Sequence, residues 1–393
     1  MFYLVNIMVY KCFFTLVLLS SCAAASEEHR NQQPAPALPG AYQLDEYLPN
    51  LSNKNVAITV NHSSLIEATH LVDTLLSLEV QLTKVFTPEH GFTGTVSDGV
   101  VIEYEETDKP YELISLYGKN KKPSVDQLAN IDVMLFDIQD VGARFYTYIG
   151  TMHYVMEACA QQGIPVIILD RPNPNGSYVD GPVLDTAFSS FVGMHPIPVV
   201  HGMTIGEYAA MINGEGWLEN GITCEIQVVK NKNWNHETKY PIPVKPSPNL
   251  PNDLSISLYP SLCFFEGTIM SVGRGTDFPF QQIGHPDYPD SSYQFTPVSM
   301  EGSKWPPLED VKCNGLSFAS RTPVYELNLA LLLEAYKKMS RPDFFNNYFK
   351  TLSGTEELQK QIVAGMSEQE IRQSWADGLT KFRKIRESYL LYD

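Results

Sequence analysis

Short apolar runs alternate with helical patterns across residues 55–229, and this alternation constrains the fold more than any other feature of the chain. Runs rich in Val and Ile predict buried strands at 56–60, 84–87, 133–136, 166–169 and 225–229. Apolar residues at i, i+3 and i+4 spacing predict helices at 65–78, 146–162 and 204–212. A chain that alternates in this way is expected to form an α/β domain, with a parallel sheet and helices on both faces.

A proline-rich segment at 241–251 marks the end of this pattern. Beyond it the sequence is irregular and rich in Gly and Pro to about residue 307. A strand-like run at 316–318 and helical stretches at 324–339 and 356–387 follow. The sequence therefore predicts a main α/β domain over 51–252 and a smaller α+β auxiliary domain over 253–393.

The charge balance is strongly acidic, with 28 Lys and Arg against 45 Asp and Glu and a formal net charge of −17. Binding to phosphate backbones needs clustered basic residues, and no such cluster is visible, so a nucleic-acid partner is not expected. If the substrate is itself an anion, single Arg residues near the chemistry must supply the local positive charge.

The N-terminus has the pattern of a lipoprotein signal. One charge, Lys11, precedes an apolar run at 12–19 that is too short to span a bilayer. The run ends in Leu-Ser-Ser before Cys22, the pattern that precedes a lipid-modified cysteine in bacterial lipoproteins. We therefore expect a signal peptide over 1–21 and a lipidated tether over 22–50. This predicts a membrane-anchored protein of the bacterial cell envelope, periplasmic or outer-membrane associated.

Carboxylates follow three of the predicted strands. They are Glu89, Asp137, Asp140 and Asp170. Ligands of open parallel sheets bind outside the carboxyl ends of the strands, so these groups are expected at one edge of the sheet. Such a cluster can divide acid and base roles, bind a divalent metal, or merely cap the following helices. Glu89 is the least suited to capping, because Glu is a poor N-cap residue.

An ordered set of short phrases resembles the NamZ-type exo-β-N-acetylmuramidases. The phrases lie at residues 86–92, which include Pro-Glu-His-Gly, and at 115–118, 137–148, 170–176, 198–207, 248–251 and 273–276. The resemblance runs from about residue 56 to the end of the chain. It implies a Rossmann-like domain with an auxiliary domain, an active site in the cleft between them, and release of single N-acetylmuramic acid units from non-reducing ends. It implies no nucleotide cofactor, and it makes Glu89 the catalytic acid.

Glycoside hydrolysis usually needs a second carboxyl group, as base or nucleophile. Asp140, Asp137 and Glu207 are the candidates for that role, and the sequence leaves a retaining or an inverting outcome open. The substrate carries a lactyl carboxylate, which a guanidinium can grip at two points, so Arg144 and Arg274 are candidate ligands.

Other polar residues in the family phrases suit the hydroxyl and acetamido groups of the sugar. These candidates are His90, His201, Asn61, Asn173, Asn175 and Asn249. The Asn residues are equally suited to fixing turns beside Pro and Gly, and a lone His is more often structural.

Two other functions compete with the glycosidase hypothesis. The first is a sugar-binding lipoprotein without catalysis, which would not need Glu89. The second is a metal-dependent hydrolase that uses Asp137, Asp140, Asp170 and His90. No phrase has the spacing of a recognised metal site, and no Gly-x-Gly-x-x-Gly follows the first strand, so we expect no metal and no other cofactor. The partner is then a peptidoglycan-derived sugar, and the sequence gives no oligomeric state.

Overall fold

A six-stranded parallel sheet is the frame of the structure, a computed structural model that describes residues 35–97 and 108–393. The strands in this part of the chain are β1 (Val56–Val60), β2 (Leu65–Ile66), β3 (Thr69–His70), β4 (Leu82–Thr87), β5 (Glu112–Ser115), β6 (Val133–Asp137), β7 (Val166–Leu169), β8 (Ile226–Val229), β9 (Gln282–His285), β10 (Tyr293–Phe295) and β11 (Cys313–Ser317). The α-helices are α1 (Leu44–Tyr47), α2 (Leu71–Ser77), α3 (Tyr148–Gln162), α4 (Ile205–Gly214), α5 (Asp253–Leu262), α6 (Ala330–Met339), α7 (Tyr348–Ser353), α8 (Glu357–Val363) and α9 (Glu368–Arg386).

The large sheet has the strand order β5-β4-β1-β6-β7-β8, and all its pairings are parallel. Numbered within the sheet, this is the order 3-2-1-4-5-6 of the doubly wound Rossmann arrangement. The order reverses between β1 and β6, where such folds open a crevice at the carboxyl ends of the strands. The predicted α/β class is confirmed.

Alternate residues of the central strands feed two separate cores. Ala57, Met134 and Ile168 pack on the face that α3 and α4 cover. Their neighbours in sequence, Ile58 and Leu135, point to the opposite face, which α2 covers. Because both faces are buried, the strands read as continuous apolar runs instead of alternating ones. Helices on both faces of the sheet are therefore confirmed.

The C-terminal part of the chain combines a small antiparallel sheet with helices. The sheet has the order β10-β11-β9, and helices α5 to α9 lie in the same part of the chain. This confirms a smaller α+β part after the parallel sheet. Residues 36–393 nevertheless cluster as one compact unit, and the boundary near residue 252 stays a prediction.

Several predicted elements differ from the observed ones. The predicted helix at 65–78 is a short β2–β3 hairpin followed by α2, because the His70 side chain accepts a hydrogen bond from Val72 N and caps the helix there. The predicted helix at 356–387 is divided into α8 and α9 near Gly365, which has φ +74°. The segment predicted to be irregular contains α5, which begins with a reciprocal Asn252–Ser255 capping box and tolerates Pro260.

Two further observations concern the expected envelope location. Within the described part of the chain, no helix has the length and apolar character needed to cross a bilayer. The predicted signal peptide and Cys22 lie outside the described residues. Cys159, Cys224, Cys263 and Cys313 are free and buried.

Candidate active site

Loops from both parts of the chain line a cavity of about 340 Å³. This volume is at the small end of the range for small-molecule sites, and it suits a single sugar residue. The polar lining residues are Glu89, His90, Tyr146, Thr147, Tyr148, Ser247, Asn249, Tyr259, Glu266, Arg274 and Tyr348. Phe145 and Phe280 supply apolar surface. Glu89 and Glu266 are the two carboxylates in the described lining.

Glu89 lies at the tip of a tight turn directly after β4. Gly91 N donates to Pro88 O at 3.1 Å, and His90 and Gly91 both have φ +70°. The turn leaves the Glu89 side chain half-buried at the cavity, where its Oε2 accepts a hydrogen bond from Thr147 Oγ1 at 3.1 Å. The phrase Pro-Glu-His-Gly therefore has a structural reason, since each of its residues shapes the turn that presents the acid.

Glu266 is the second carboxylate of the cavity, and it is not among the residues predicted from the sequence. It lies in a short 3₁₀ helix, Cys263–Gly267, that follows α5. Its Oε1 accepts from Arg274 Nε at 2.5 Å, and Cys263 Sγ lies 3.5 Å from its Oε2. The signal in the sequence was the position of this acid between Phe265 and a glycine, eight residues before Arg274.

Gly267 allows α7 to approach Glu266. A Cβ atom at this position would lie 2.4 Å from Phe349 Cα, so only glycine permits the contact. Asn346 N donates to Gly267 O at 2.9 Å and fixes the chain that leads into α7. The first residue of α7 is Tyr348, whose side chain lines the cavity. The C-terminal helices thereby contribute directly to the site.

Tyr348 and Tyr148 line the same cavity as the two glutamates. Burial raises the pKa of the Tyr348 phenol well above its usual value, and the negative charges of Glu266 and Glu89 raise it further. Burial likewise raises the pKa of Tyr148, with the charge of Glu89 as the next cause. These phenols stay protonated at neutral pH, so their hydroxyl groups can donate hydrogen bonds and do not add negative charge to the cavity.

Tyr146 and Tyr148 also anchor the proline-rich segment against the cavity. Their hydroxyl groups donate to Pro246 O at 2.8 and 3.4 Å. The next residues, Ser247 and Asn249, line the cavity, and Ser247 Oγ lies 3.4 Å from His90 Nε2. His90 Nδ1 is 2.7 Å from Val96 O, which fixes the ring on its other side.

Asp137, a candidate for the second catalytic group, lies away from this lining. It is fully buried at the end of β6, and both its carboxylate oxygens contact Arg171, at 2.5 Å from Nε and 2.8 Å from Nη2. A carboxylate held at two points by a buried guanidinium maintains the structure of this sheet edge.

Asp140 and Asp170 are buried beside the sheet edge and also lie outside the cavity lining. Burial raises the pKa of each carboxyl to about 7. Asp140 Oδ1 accepts from Gly142 N at 2.7 Å, and its Oδ2 has no hydrogen-bond partner among the described residues. Asp170 accepts hydrogen bonds from Gly206 N and from the Tyr392 hydroxyl at 2.8 and 2.6 Å.

Glu207, the third candidate for the second carboxyl group, caps a helix. Its Oε2 accepts from Thr204 N at 2.9 Å in a capping box at the start of α4. Its Oε1 lies 3.0 Å from His236 Nε2 and accepts from Leu391 N at 2.9 Å. All these contacts are away from the cavity, and they tie α4 to the C-terminal tail.

Arg144 and Arg274, the two candidate ligands of the lactyl carboxylate, have different surroundings. Arg144 is buried outside the cavity lining, and burial lowers the pKa of its guanidinium to about 9. The carbonyl groups that accept its hydrogen bonds, at 2.7–2.9 Å, belong to Pro182, Ile197, Leu352 and Ser353. Arg274, in contrast, lines the cavity beside Glu266, with its guanidinium over the Phe280 ring.

Of the remaining sugar-binding candidates, some line the cavity and the others lie outside it. His90 and Asn249 line the cavity. Asn61 Oδ1 accepts from Ser63 N, Asn173 Nδ2 donates to Met203 O and Asn175 Nδ2 donates to Val141 O, so each fixes a local turn or loop. Burial lowers the pKa of His201 to about 3, and this imidazole is neutral and outside the lining.

The described residues present no metal-binding arrangement. Within 35–97 and 108–393, no group of three His, Cys, Asp or Glu side chains is disposed to hold a metal ion. The cavity instead combines two carboxylates, a guanidinium, several phenols and aromatic surface. This set can bind an anionic sugar and exchange protons with it.

Comparisons with known proteins identify relatives of this chain. Residues 56–254 match the family model described as exo-beta-N-acetylmuramidase NamZ, N-terminal, and residues 257–392 match its C-terminal counterpart. The chain is 34% identical over 401 residues to the peptidoglycan beta-N-acetylmuramidase NamZ of Bacillus subtilis (strain 168), with 95% of this chain and 96% of that protein covered.

Two solved structures from Bacteroides fragilis NCTC 9343, both described as DUF1343 family proteins, have the same fold. One superposes with a TM-score of 0.85 at 42% identity, and the other with a TM-score of 0.77 at 26% identity. In both cases the match covers 91% of this chain and 99% of the solved chain.

Proposed function

Because the chain belongs to the NamZ family of exo-β-N-acetylmuramidases, we propose that it hydrolyses the bond that links a terminal N-acetylmuramic acid to the non-reducing end of peptidoglycan fragments. The observation that carries this proposal is the pair Glu89 and Glu266, two carboxylates that line one cavity of single-sugar size. Glycosidases use such a pair of carboxyl groups on either side of the scissile bond.

Glu89 is the catalytic acid in this proposal. Its turn leaves the Glu89 side chain half-buried, with Oε2 accepting a hydrogen bond from Thr147. It can therefore reorient towards the glycosidic oxygen, to which it gives its proton as the bond to the anomeric carbon breaks. The loss of the leaving group then requires no free acid from solvent.

Glu266 is, in this proposal, the second carboxyl group that the hydrolysis needs. Asp137, Asp140 and Glu207 are committed to buried contacts outside the cavity, whereas Glu266 faces it beside a cation. Arg274 keeps Glu266 oriented, and its guanidinium supplies the local positive charge that an anionic sugar needs in a protein of net charge −17. The lactyl carboxylate of the substrate is thus expected to bind near Arg274.

The first test is release of N-acetylmuramic acid from an aryl β-N-acetylmuramide and from a peptidoglycan fragment with this sugar at its non-reducing end. The wild type should turn over both substrates, and Glu89→Gln should lower kcat about 10²–10⁴-fold on the fragment. Binding of the sugar without any release would support a non-catalytic sugar-binding protein instead.

A series of aryl leaving groups distinguishes the two carboxylates. A nitrophenolate leaves without protonation, so Glu89→Gln should lose least activity on the most acidic leaving group, whereas Glu266→Gln should lose activity about equally across the series. Glu157→Gln is the matched control, because Glu157 is an ion-paired glutamate outside the cavity, 2.7 Å from Lys122 Nζ. Near-normal turnover by Glu89→Gln on the natural fragment would refute the assignment of the acid.

We further propose that the protein is a lipid-anchored component of the bacterial cell envelope. The support is the sequence pattern alone, an apolar run that ends in Leu-Ser-Ser before Cys22. An anchor followed by a polar, proline-containing tether would hold the cavity close to peptidoglycan.

A further inference from the structure

A second, shallow cavity of about 350 Å³ shares a wall with the candidate active site. The wall is the loop 274–280. Arg274 and Phe280 line the active-site cavity, and residues 275–278 line the second one. Consecutive Cα atoms are about 3.8 Å apart, so the linings of the two cavities meet between adjacent residues of the chain.

Aromatic rings form much of the second cavity, and the small sheet holds two of them in place. Tyr293 and Phe295 lie two residues apart in β10 and therefore project from the same face, with ring centroids 6.1 Å apart. Phe295 packs over Gly284, where a Cβ atom would lie 2.6 Å from its ring. Phe278 also lines the cavity, with 44% of its surface exposed.

Polar groups of the same cavity form a short hydrogen-bonded chain. The Tyr293 hydroxyl donates to Gln282 Oε1 at 2.5 Å, and Gln282 Nε2 donates to Thr276 Oγ1 at 2.7 Å. Asp277 is exposed at the rim. Flat rings beside fixed amide, hydroxyl and carboxylate groups match the chemistry of a sugar, which presents C–H faces and hydroxyl edges together.

Exposed apolar side chains lie along the loop that lines this cavity. Val298 and Met300 line it, and Trp305 nearby is 66% exposed. The loop that carries them is tied to the active-site wall, because Asn249 Nδ2 donates to Gly302 O at 2.9 Å. Exposed apolar surface of this kind marks a binding groove more often than chance.

We propose that this second cavity, defined by Phe278, Tyr293 and Phe295, binds a sugar residue of the glycan on the leaving-group side of the scissile bond. The inference rests on the proposed function, since an exo-acting site of single-sugar size must let the rest of the glycan pass out over its wall. The loop 274–280 is the wall that this glycan crosses, and its outer side offers the aromatic surface on which a pyranose ring packs.

The test compares two substrates. An aryl β-N-acetylmuramide has no second sugar, whereas an oligosaccharide with N-acetylmuramic acid at its non-reducing end extends beyond the scissile bond. Phe278→Ala should lower kcat/KM about fivefold to tenfold on the oligosaccharide and leave the aryl muramide unchanged. Trp305→Ala is a second variant of an exposed side chain, and it should also lower kcat/KM on the oligosaccharide. Leu78→Ala is the control, because Leu78 is 45% exposed at the end of α2.

The outcomes separate this inference from the proposed function. If Phe278→Ala affects both substrates equally, or neither, while the wild type remains active, the sugar-binding role of the second cavity is refuted and the glycosidase proposal stands. If the wild type releases no N-acetylmuramic acid from either substrate, both proposals fail. A loss confined to fragments with stem peptides would assign the surface to peptide and overturn the sugar assignment.

Discussion

Arg274 Nε lies 2.5 Å from Glu266 Oε1, inside the same cavity that Glu89 lines from the opposite part of the chain. The pair is partly buried, with 18% and 19% of the two side chains exposed. One cation therefore faces two carboxylates before any substrate binds. An anionic sugar adds a third negative charge, so the guanidinium is the group on which substrate affinity should depend most.

Replacing Arg274 by Lys tests this dependence. Lys keeps the charge but loses the planar fork that grips a carboxylate at two points. We expect kcat/KM for an aryl β-N-acetylmuramide to fall at least tenfold, mainly through KM. The matching N-acetylglucosaminide, which has no lactyl group, should lose much less. Steady-state kinetics on both substrates measure the difference, and equal losses would exclude a contact between Arg274 and the lactyl carboxylate.

Gly267→Ala tests the contribution of α7 to the cavity. The new Cβ would meet the backbone of Phe349 at 2.4 Å, so α7 has to move and Tyr348 moves with it. We expect a loss of about 1–3 kcal/mol in the free energy of unfolding, the usual cost of overpacking, together with reduced turnover. Urea unfolding and steady-state kinetics report the two effects. Gly378→Ala is the control, because its new methyl group would meet only the Val183 side chain, at 3.3 Å; a similar loss there would show that α7 has no special role.

The parallel sheet was predictable because its strands are buried on both faces and read as uninterrupted apolar runs. The place of Glu89 at the cavity was predictable because a glutamate between Pro and His-Gly has no simple capping role. The signal for Glu266 was much weaker, because its place in the same cavity as Glu89 arises from the packing of α5 and α7. Arg144 and Glu207 looked functional by residue type, but tertiary contacts engage both in the structural framework.

Cys22→Ala separates anchoring from catalysis. The wild type should incorporate labelled fatty acid in a bacterial host and partition into the detergent phase, and the variant should do neither. Activity on a soluble aryl muramide should be the same for both purified proteins, because the cavity is built within residues 36–393. Labelling that persists in the variant would exclude Cys22 as the lipidation site.

Asp140→Asn tests the effect of a buried carboxyl on the pH dependence of stability. Burial raises the pKa of Asp140 from 3.8 to about 7, so the folded protein binds this proton more tightly than the unfolded chain does. The resulting stabilisation is complete below about pH 4 and is lost as the pH rises through about 7. Each pKa unit corresponds to about 1.4 kcal/mol, so the free energy of unfolding falls by up to about 4 kcal/mol.

The Asn variant cannot ionise, and Asn can still accept the hydrogen bond from Gly142 N. The opposite oxygen, Oδ2, has no partner among the described residues, so its replacement by an amide group breaks no described hydrogen bond. Wild type and variant should therefore have similar free energies of unfolding at or below about pH 4, and the variant should be the more stable protein at pH 8. Urea unfolding across this range measures the gap. If the free energies of unfolding of the two proteins change in parallel with pH, Asp140 does not titrate between these pH values. The buried carboxyl would then have no part in the pH dependence of stability.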